Sequence, residues 1–326
     1  MFNYSIIFTA ALAAEILAIF WLIRAARKYN LLQLKGIPLV GGLAAGLAFV
    51  FSCAIGSLVF DLAAAKIALI AGVSCLMLFF GLVDDLKELS IWQKFLIQGL
   101  CAAILIIGGI RTEIIYLGFW GNALITFIWL VGLTNALNLL DIMDGLAGGT
   151  VLIVSSAFLT IGWLGRDLNV QILSLILFAL SLGFLFFNFP PAKIYLGNSG
   201  SHFFGLLIGA VALMTRYAST ENVFALLSPV MILGLPIMDT ALLIVFRLIK
   251  KKVPFKKSPD HLALKIGALG LSARGVIAVM YSLCLFFAAC GIILAQVSHL
   301  AAGMIIIFAF LFSAAVFFKS VKIKAL

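Results

Sequence analysis

The chain has 326 residues, 65% of them hydrophobic, and a formal net charge of +10. Its mean hydropathy of +1.26 lies far above that of a water-soluble globular domain, which excludes an ordinary soluble fold and makes the bilayer the solvent. The five cysteines sit apart in apolar runs with no CxxC or other ligand spacing, which excludes a disulfide framework and a zinc site and leaves them as small apolar fillers.

The first apolar run, 4–23, lacks a basic n-region and a clear small-residue cleavage site, and reads as a retained span rather than a removed signal peptide. Ten more runs follow, at 39–60, 65–83, 92–110, 122–140, 145–163, 169–188, 201–217, 224–246, 273–295 and 299–318. Each has roughly the length a helix needs to cross about 30 Å of hydrocarbon. The expected fold is an all-α polytopic membrane protein of about 11 (10–11) transmembrane helices. No linker, low-complexity run or internal repeat divides it, so residues 1–326 are expected to form a single integral-membrane domain.

Alternate connections between eleven spans lie on opposite sides. Of the 22 basic residues, only Lys66, Arg111, Arg166 and Arg216 fall on one set; the rest gather on the other set and the C-terminal tail. Cytoplasmic loops collect Lys and Arg, so the N-terminus is expected outside and the C-terminus inside, in a multi-pass plasma-membrane protein. The positive charge then suits anionic lipid heads or phosphorylated substrates at the inner face, and gives no reason to expect nucleic acid.

Polar groups at membrane depth mark function, and here they converge on the expected cytoplasmic side. In "GLVDDLKELS", Asp84 and Asp85 end the third run, and two adjacent helical residues can reach one site only near a helix end. In "NALNLLDIMDG", Asn138 and Asp141 are near neighbours on a helix, whereas Asn135 and Asp144 face opposite ways unless the Asp144–Gly145 turn swings Asp144 back. Carboxylates and amide oxygens at that edge suit divalent cations and phosphate esters.

"NFPPAKIYLGNSGS" joins two helix-breaking prolines, Lys193 and a "GNSG" turn into the next span. It reads equally as a phosphate-binding helix N-terminus or a plain re-entry turn. The loop "RLIKKKVPFKKSPDHLALK" reads as a positive-inside anchor, which accounts for its lysines but not for His261 or for Asp239 just before it. His202, His299 and Glu15 lack such context and read as span residues without a catalytic role.

In this order, "GIPLVGG" (36–42), the Asp84–Asp85 pair, "KFLIQ" (94–98), "NALNLLDIMDGLAGG" (135–149), "PAKIYLGNSGS" (191–201) and "PIMDT" (236–240) resemble the polyprenyl-phosphate N-acetylhexosamine-1-phosphate transferases. That superfamily includes the phospho-MurNAc-pentapeptide translocase and the undecaprenyl-phosphate GlcNAc-1-phosphate transferases. The resemblance implies transfer of a sugar-1-phosphate from a UDP-N-acetylhexosamine or related UDP-sugar to polyprenyl phosphate, releasing UMP, with Mg²⁺ as cofactor and Mn²⁺ as a substitute. It implies Asp84, Asp85 and Asp144 as the catalytic carboxylates. Asp84, Asp85, Asn138 and Asn198 would form the metal shell. Lys35, Lys94, Asn135, Asp141, Asn188, Lys193, Tyr195 and His261 would contact substrate. A homodimer accords with the resemblance.

Two departures stand out. The family carries a metal-binding aspartate where this chain has Asn198, which removes one negative charge and implies weaker Mg²⁺ binding, a compensating carboxylate or an inactive variant. The His-rich "HLHH"-like run is here "DHLALK", retaining only His261, which argues against a peptide-bearing muramoyl substrate and for a UDP-hexosamine feeding a surface polymer. Two other readings are a secondary transporter, which would place its ion ligands near the midplane between repeats, and a silent scaffold, motivated by Asn198.

Overall fold

The structure is a computed structural model that describes residues 2–215, 217, 222–251 and 260–323. Arg216, Lys252, Lys256, Lys257 and Lys324, counted above among the basic residues, lie outside the described residues. Of the described residues 81% are helical, and the chain forms two compact units, Met1–Arg216 and Tyr217–Leu326.

In the first unit α1 (Phe2–Tyr29) is followed by a short hairpin, β1 (Gln33–Leu34) and β2 (Ile37–Pro38), paired antiparallel. Lys35 and Gly36 both take positive φ, 51° and 78°, which is the backbone of a tight two-residue hairpin turn. Next come α2 (Gly41–Val59), α3 (Ala64–Leu86), α4 (Ile91–Ile107), α5 (Gly118–Leu140), α6 (Leu146–Leu164), α7 (Leu168–Asn188) and α8 (Gly197–Met214). The helix α8 is buried without interruption from Ser199 to Ala212, with α2, α3 and α5 packed along it.

Glycines allow that packing. A Cβ on Gly81 of α3 would lie 2.5 Å from Ser199 Cα, and one on Gly42 of α2 would fall inside the backbone of Gly200. Helices in a bilayer gain little by hiding apolar surface from one another, so close backbone approach at small residues carries much of their association.

In the second unit α9 (Ser228–Ile232) and α10 (Gly234–Ile249) meet at a 73° bend. Pro236 has no N–H to offer the preceding turn, so one continuous helix is not available there. They are followed by α11 (Leu262–Gly267), α12 (Ala273–Leu294) and α13 (His299–Lys322). His299, the first residue of α13, brings its Nδ1 to 3.4 Å from Asn222 Oδ1.

Among the described residues eight helices are long and apolar enough to cross a membrane, or nine if the bent segment from Val223 to Ile249 is one span. Each of the eleven expected runs overlaps a helix or that bent pair. Of the two that fall outside the count, α4 is apolar but has only 17 residues, and α8 opens on the polar "GNSGSH". The longest extension is in α1, which continues six residues past its expected end through "RAARKY", because Ala, Arg and Lys favour helix after the apolar run stops.

Candidate active site

The site of the first unit is built around the N-terminal turn of α8. Asp85, in the last turn of α3, accepts the Asn198 N–H on Oδ1 at 2.7 Å and the Ser199 N–H on Oδ2 at 3.0 Å. The first N–H groups of a helix lack intrahelical acceptors and carry partial positive charge, so a carboxylate there is a charge-assisted cap. Gly197 enters the turn at φ +76°, and a Cβ there would stand 2.7 Å from Asp85 Oδ2. Of the two readings of this helix start, a phosphate-binding N-terminus or a plain re-entry turn, the first does not apply to these two N–H groups, which the chain's own carboxylate accepts.

Asp84 points elsewhere. It is 4% exposed; its Oδ1 accepts the Leu89 N–H at 2.8 Å and its Oδ2 pairs with Lys94 Nζ at 2.6 Å. The adjacent carboxylates therefore do different things. Lys94 is brought there by a capping box at Ser90, whose side chain accepts from Gln93 N while the Gln93 side chain accepts from Ser90 N.

Asn138 of α5 donates through Nδ2 to Asn198 Oδ1 at 2.9 Å and to Ser201 Oγ at 2.8 Å. Two residues expected in one metal shell thus touch across α5 and α8. Asp141 ends α5 as its C-cap, and Gly145 begins α6 at φ +80°. The turn between them returns Asp144 toward the site, where its Oδ2 accepts the Ala192 N–H at 3.0 Å. Burial pushes the Asp141 carboxyl up to about 7, and the neighbouring Asp85 and Asp144 carboxylates push it the same way. Burial, then Asp144, also raises the Tyr195 hydroxyl.

Asn188, the last residue of α7, spends its amide on structure. Its Oδ1 accepts from Gly145 N and its Nδ2 donates to the Ile194 carbonyl, both at 2.8 Å, tying together the two loops that carry Asp144 and Tyr195. Asn135 pairs with Gln98 of α4, donating to Oε1 at 2.6 Å and accepting from Nε2 at 3.3 Å. The backbone of Tyr195 joins β2 and α2, donating to the Pro38 carbonyl at 2.8 Å and accepting from Gly41 N at 3.0 Å. Lys35 and Lys193 are exposed, on the hairpin turn and the loop before α8.

His261 belongs to the second unit, where its Nδ1 lies 2.9 Å from Asp239 Oδ2 while Asp239 Oδ1 accepts the Leu262 N–H at 2.8 Å. Lys250 pairs with Asp260 in the same unit. Lys265 donates to the Ser320 carbonyl at 2.9 Å and stacks over the Phe246 ring at 3.6 Å, which ties α11 to α10 and α13.

His202 is the residue that sequence reasoning passes over. It is 4% exposed and lines a cavity of about 10 Å³ together with Asp84, Lys94 and Gln98. Glu15 is also fully buried, packed against Gly183 of α7, and neither carboxyl oxygen has a hydrogen-bond partner among the described residues.

Among the described residues no group of three or more His, Cys, Asp or Glu side chains is arranged to hold a metal. The oxygen donors nearest such a role are mixed: Asp85, Asn138 and Asn198 gather at the start of α8, with Asp85 and Asp144 close enough to Asp141 to raise its carboxyl. Each Asp85 oxygen accepts one backbone N–H and keeps further acceptor capacity. Mutually repelling carboxylates beside amide oxygens fit a hard divalent cation; Asp84, engaged by Lys94 and Leu89, fits it less directly.

Residues 67–216 match the family model described as glycosyl transferase family 4. That segment holds every candidate residue except Lys35 and His261, and it belongs to this family. The chain is 35% identical over 227 residues to the "Probable undecaprenyl-phosphate N-acetylglucosaminyl 1-phosphate transferase" of Bacillus subtilis, which covers 67% of this chain and 63% of that protein. It is 32% identical over 234 residues to the "Decaprenyl-phosphate N-acetylglucosaminephosphotransferase" of Mycolicibacterium smegmatis, covering 63% and 58%. A "Phospho-N-acetylmuramoyl-pentapeptide-transferase" of Halalkalibacterium halodurans is 29% identical over 277 residues, covering 78% and 82%. The chain thus spans less than two thirds of the length of the first two relatives.

Proposed function

We propose that the protein transfers a sugar-1-phosphate from a UDP-sugar to polyprenyl phosphate and releases UMP. The observation that carries this reading is the gathering of Asp85, Asn138, Asp141, Asp144 and Asn198 around the start of α8, inside the segment that matches the family. The names of the relatives supply the substrate classes: an undecaprenyl or decaprenyl phosphate and an N-acetylglucosaminyl phosphate donor. In the reaction a phosphate oxygen of the lipid carrier forms a bond to the β-phosphorus of the UDP-sugar. The anhydride bond to the α-phosphate breaks, and UMP leaves with that electron pair.

The chain's residues then have separate tasks. Asp85 holds the first turn of α8, and with it Asn198, in a fixed place. Lys94, held by Asp84, offers a positive charge near the carboxylates. Asp141 and Asp144 face the diphosphate and nucleoside, and Asn188 fixes the loop that presents Tyr195 beside them. Asp85, Asn138 and Asn198 would hold Mg²⁺, with Asp84 at its edge. Bound there, the ion would screen the two phosphates from each other and stabilise the charge that develops in an in-line displacement. The cytoplasmic face, the plasma membrane and a UDP-N-acetylhexosamine as donor belong to this proposal, supported by the distribution of basic residues and by the relatives' names.

The test is UMP release from detergent-purified protein given undecaprenyl phosphate, Mg²⁺ and a panel of UDP-sugars. Turnover with at least one UDP-N-acetylhexosamine supports the reading; folded protein that releases no UMP with any sugar contradicts it. The same assay addresses Asn198. Restoring a carboxylate with Asn198→Asp adds one negative charge to the site, and the Mg²⁺ concentration giving half-maximal rate is expected to fall by about tenfold. Superimposable Mg²⁺ titrations for the two proteins would remove Asn198 from the metal shell.

A further inference from the structure

We propose that His202 is a positioning residue for the Asp84–Lys94 pair, acting through one water held in the cavity that these side chains line. Its consequence for turnover rests on the transferase reading above; the hydrogen-bonded bridge stands on the geometry alone.

Three observations carry it. First, His202 is 4% exposed and its Nε2 has no hydrogen-bond partner among the described residues. Buried ring nitrogens are normally satisfied by protein or by ordered water. Second, the cavity it lines has a volume of about 10 Å³, close to the space one water centre needs. Third, the walls are polar where a water needs them to be. Asp84, Lys94 and Gln98 line the cavity with His202, and Met77 and Phe80 form part of its apolar wall.

The bonding capacities match. Lys94 carries three donors, and its Nζ stands 2.6 Å from Asp84 Oδ2. The bridging water would accept a second and donate to His202 Nε2, or accept from Nε2 in the other tautomer and donate to the carboxylate, so the bridge forms either way. It would fix the rotation of the ammonium and the plane of Asp84, whose other oxygen is already held by Leu89 N at 2.8 Å. A lysine on a flexible four-carbon stem needs such a second restraint to stay in one geometry. The rest of α8, "FFGLLIGAVALM" after His202, is apolar except for its glycines, so a polar ring here has no general packing purpose.

The test uses the full chain in nanodiscs and two independent readouts. In UMP release, His202→Leu is expected to lower kcat by about tenfold with KM for the UDP-sugar unchanged. His202→Gln, whose amide can reach the same water, is expected to recover at least half of the lost rate. Equal rates for wild type and His202→Leu, or equal losses in both variants, would overturn the proposal.

The second readout needs no substrate. The chain has three histidines, so the imidazole ¹⁵N signal of His202 is assigned by its loss in His202→Gln. A cross-peak from Nε2 to water, and a shift of that signal in Lys94→Met but not in His261→Gln, is expected. A missing cross-peak, or a signal that Lys94→Met leaves in place, would overturn the bridge. If the wild-type chain releases no UMP at all, the transferase reading fails while this readout still decides the role of His202.

Discussion

Replacing Asp85 with alanine is expected to abolish turnover and to destabilise the fold at once. Both carboxylate oxygens accept backbone N–H groups at the start of α8, from Asn198 and Ser199, and alanine would leave both donors without their acceptor. Each orphaned buried amide costs about 1–3 kcal/mol, so a loss of roughly 2–4 kcal/mol is expected in reversible unfolding from detergent, less where water reaches the half-buried turn. The turn also carries Asn198, which Asn138 contacts at 2.9 Å, so its displacement would take the proposed ligand set apart. UMP release is expected to fall by at least about a thousandfold, the scale of losing a charge-stabilising group. Asp85→Asn separates the two effects: one amide bond to α8 survives, so the fold should be nearer to wild type while turnover stays lost. A variant lacking the carboxylate that keeps wild-type rates would show that Asp85 serves only as a helix cap.

Gly42→Ala is expected to have the largest effect of any change outside the polar site. The new methyl would overlap Gly200 N and Cα, both backbone atoms that cannot rotate away. The two helices would have to part, and overpacking of this kind costs about 1–3 kcal/mol or more. The strain falls on the turn that Asp85 caps, so activity should drop together with melting temperature. Gly72→Ala is the control, because nothing lies within 4 Å of a Cβ there and alanine is the better helix former by about 1 kcal/mol. Equal melting temperatures for the two variants would show that α2 and α8 do not approach as closely as described.

These effects mark the boundary of what the sequence makes legible. Asp84, Asp85, Asn138, Asp141, Asp144 and Asn198 are visible as charges and amides too costly to keep in apolar runs without a use. Their partners are not. Asp85 meets Asn198 and Ser199 across 113 and 114 residues, and no spacing rule distinguishes a carboxylate that caps a distant helix from one that faces a ligand. The same holds for Asn135, whose reciprocal bonds to Gln98 give a structural reason for an amide that also suits substrate contact.

Helix ends divide in the same way. The Asp144–Gly145 turn follows from local chemistry, since glycine adopts the positive φ found there. The Ser90–Gln93 capping box is a sequence pattern in its own right, S-x-x-Q before an apolar run, and it could have placed the start of α4. By contrast α8 begins at Gly197, four residues before its apolar run, because Asp85 supplies an acceptor from another helix. His202 reads as a lone span residue until α3 and α4 bring Asp84 and Lys94 beside it.

The most direct measurement follows the phosphorus. Purified protein is incubated with undecaprenyl phosphate, Mg²⁺ and a UDP-N-acetylhexosamine carrying ³²P at the β-position, and the label is traced between water and organic phases. Sugar-1-phosphate transfer predicts that ³²P enters the lipid fraction in step with unlabelled UMP, and that neither appears with Asp85→Asn. Label that stays in the aqueous phase, or lipid that gains the sugar without ³²P, would contradict it.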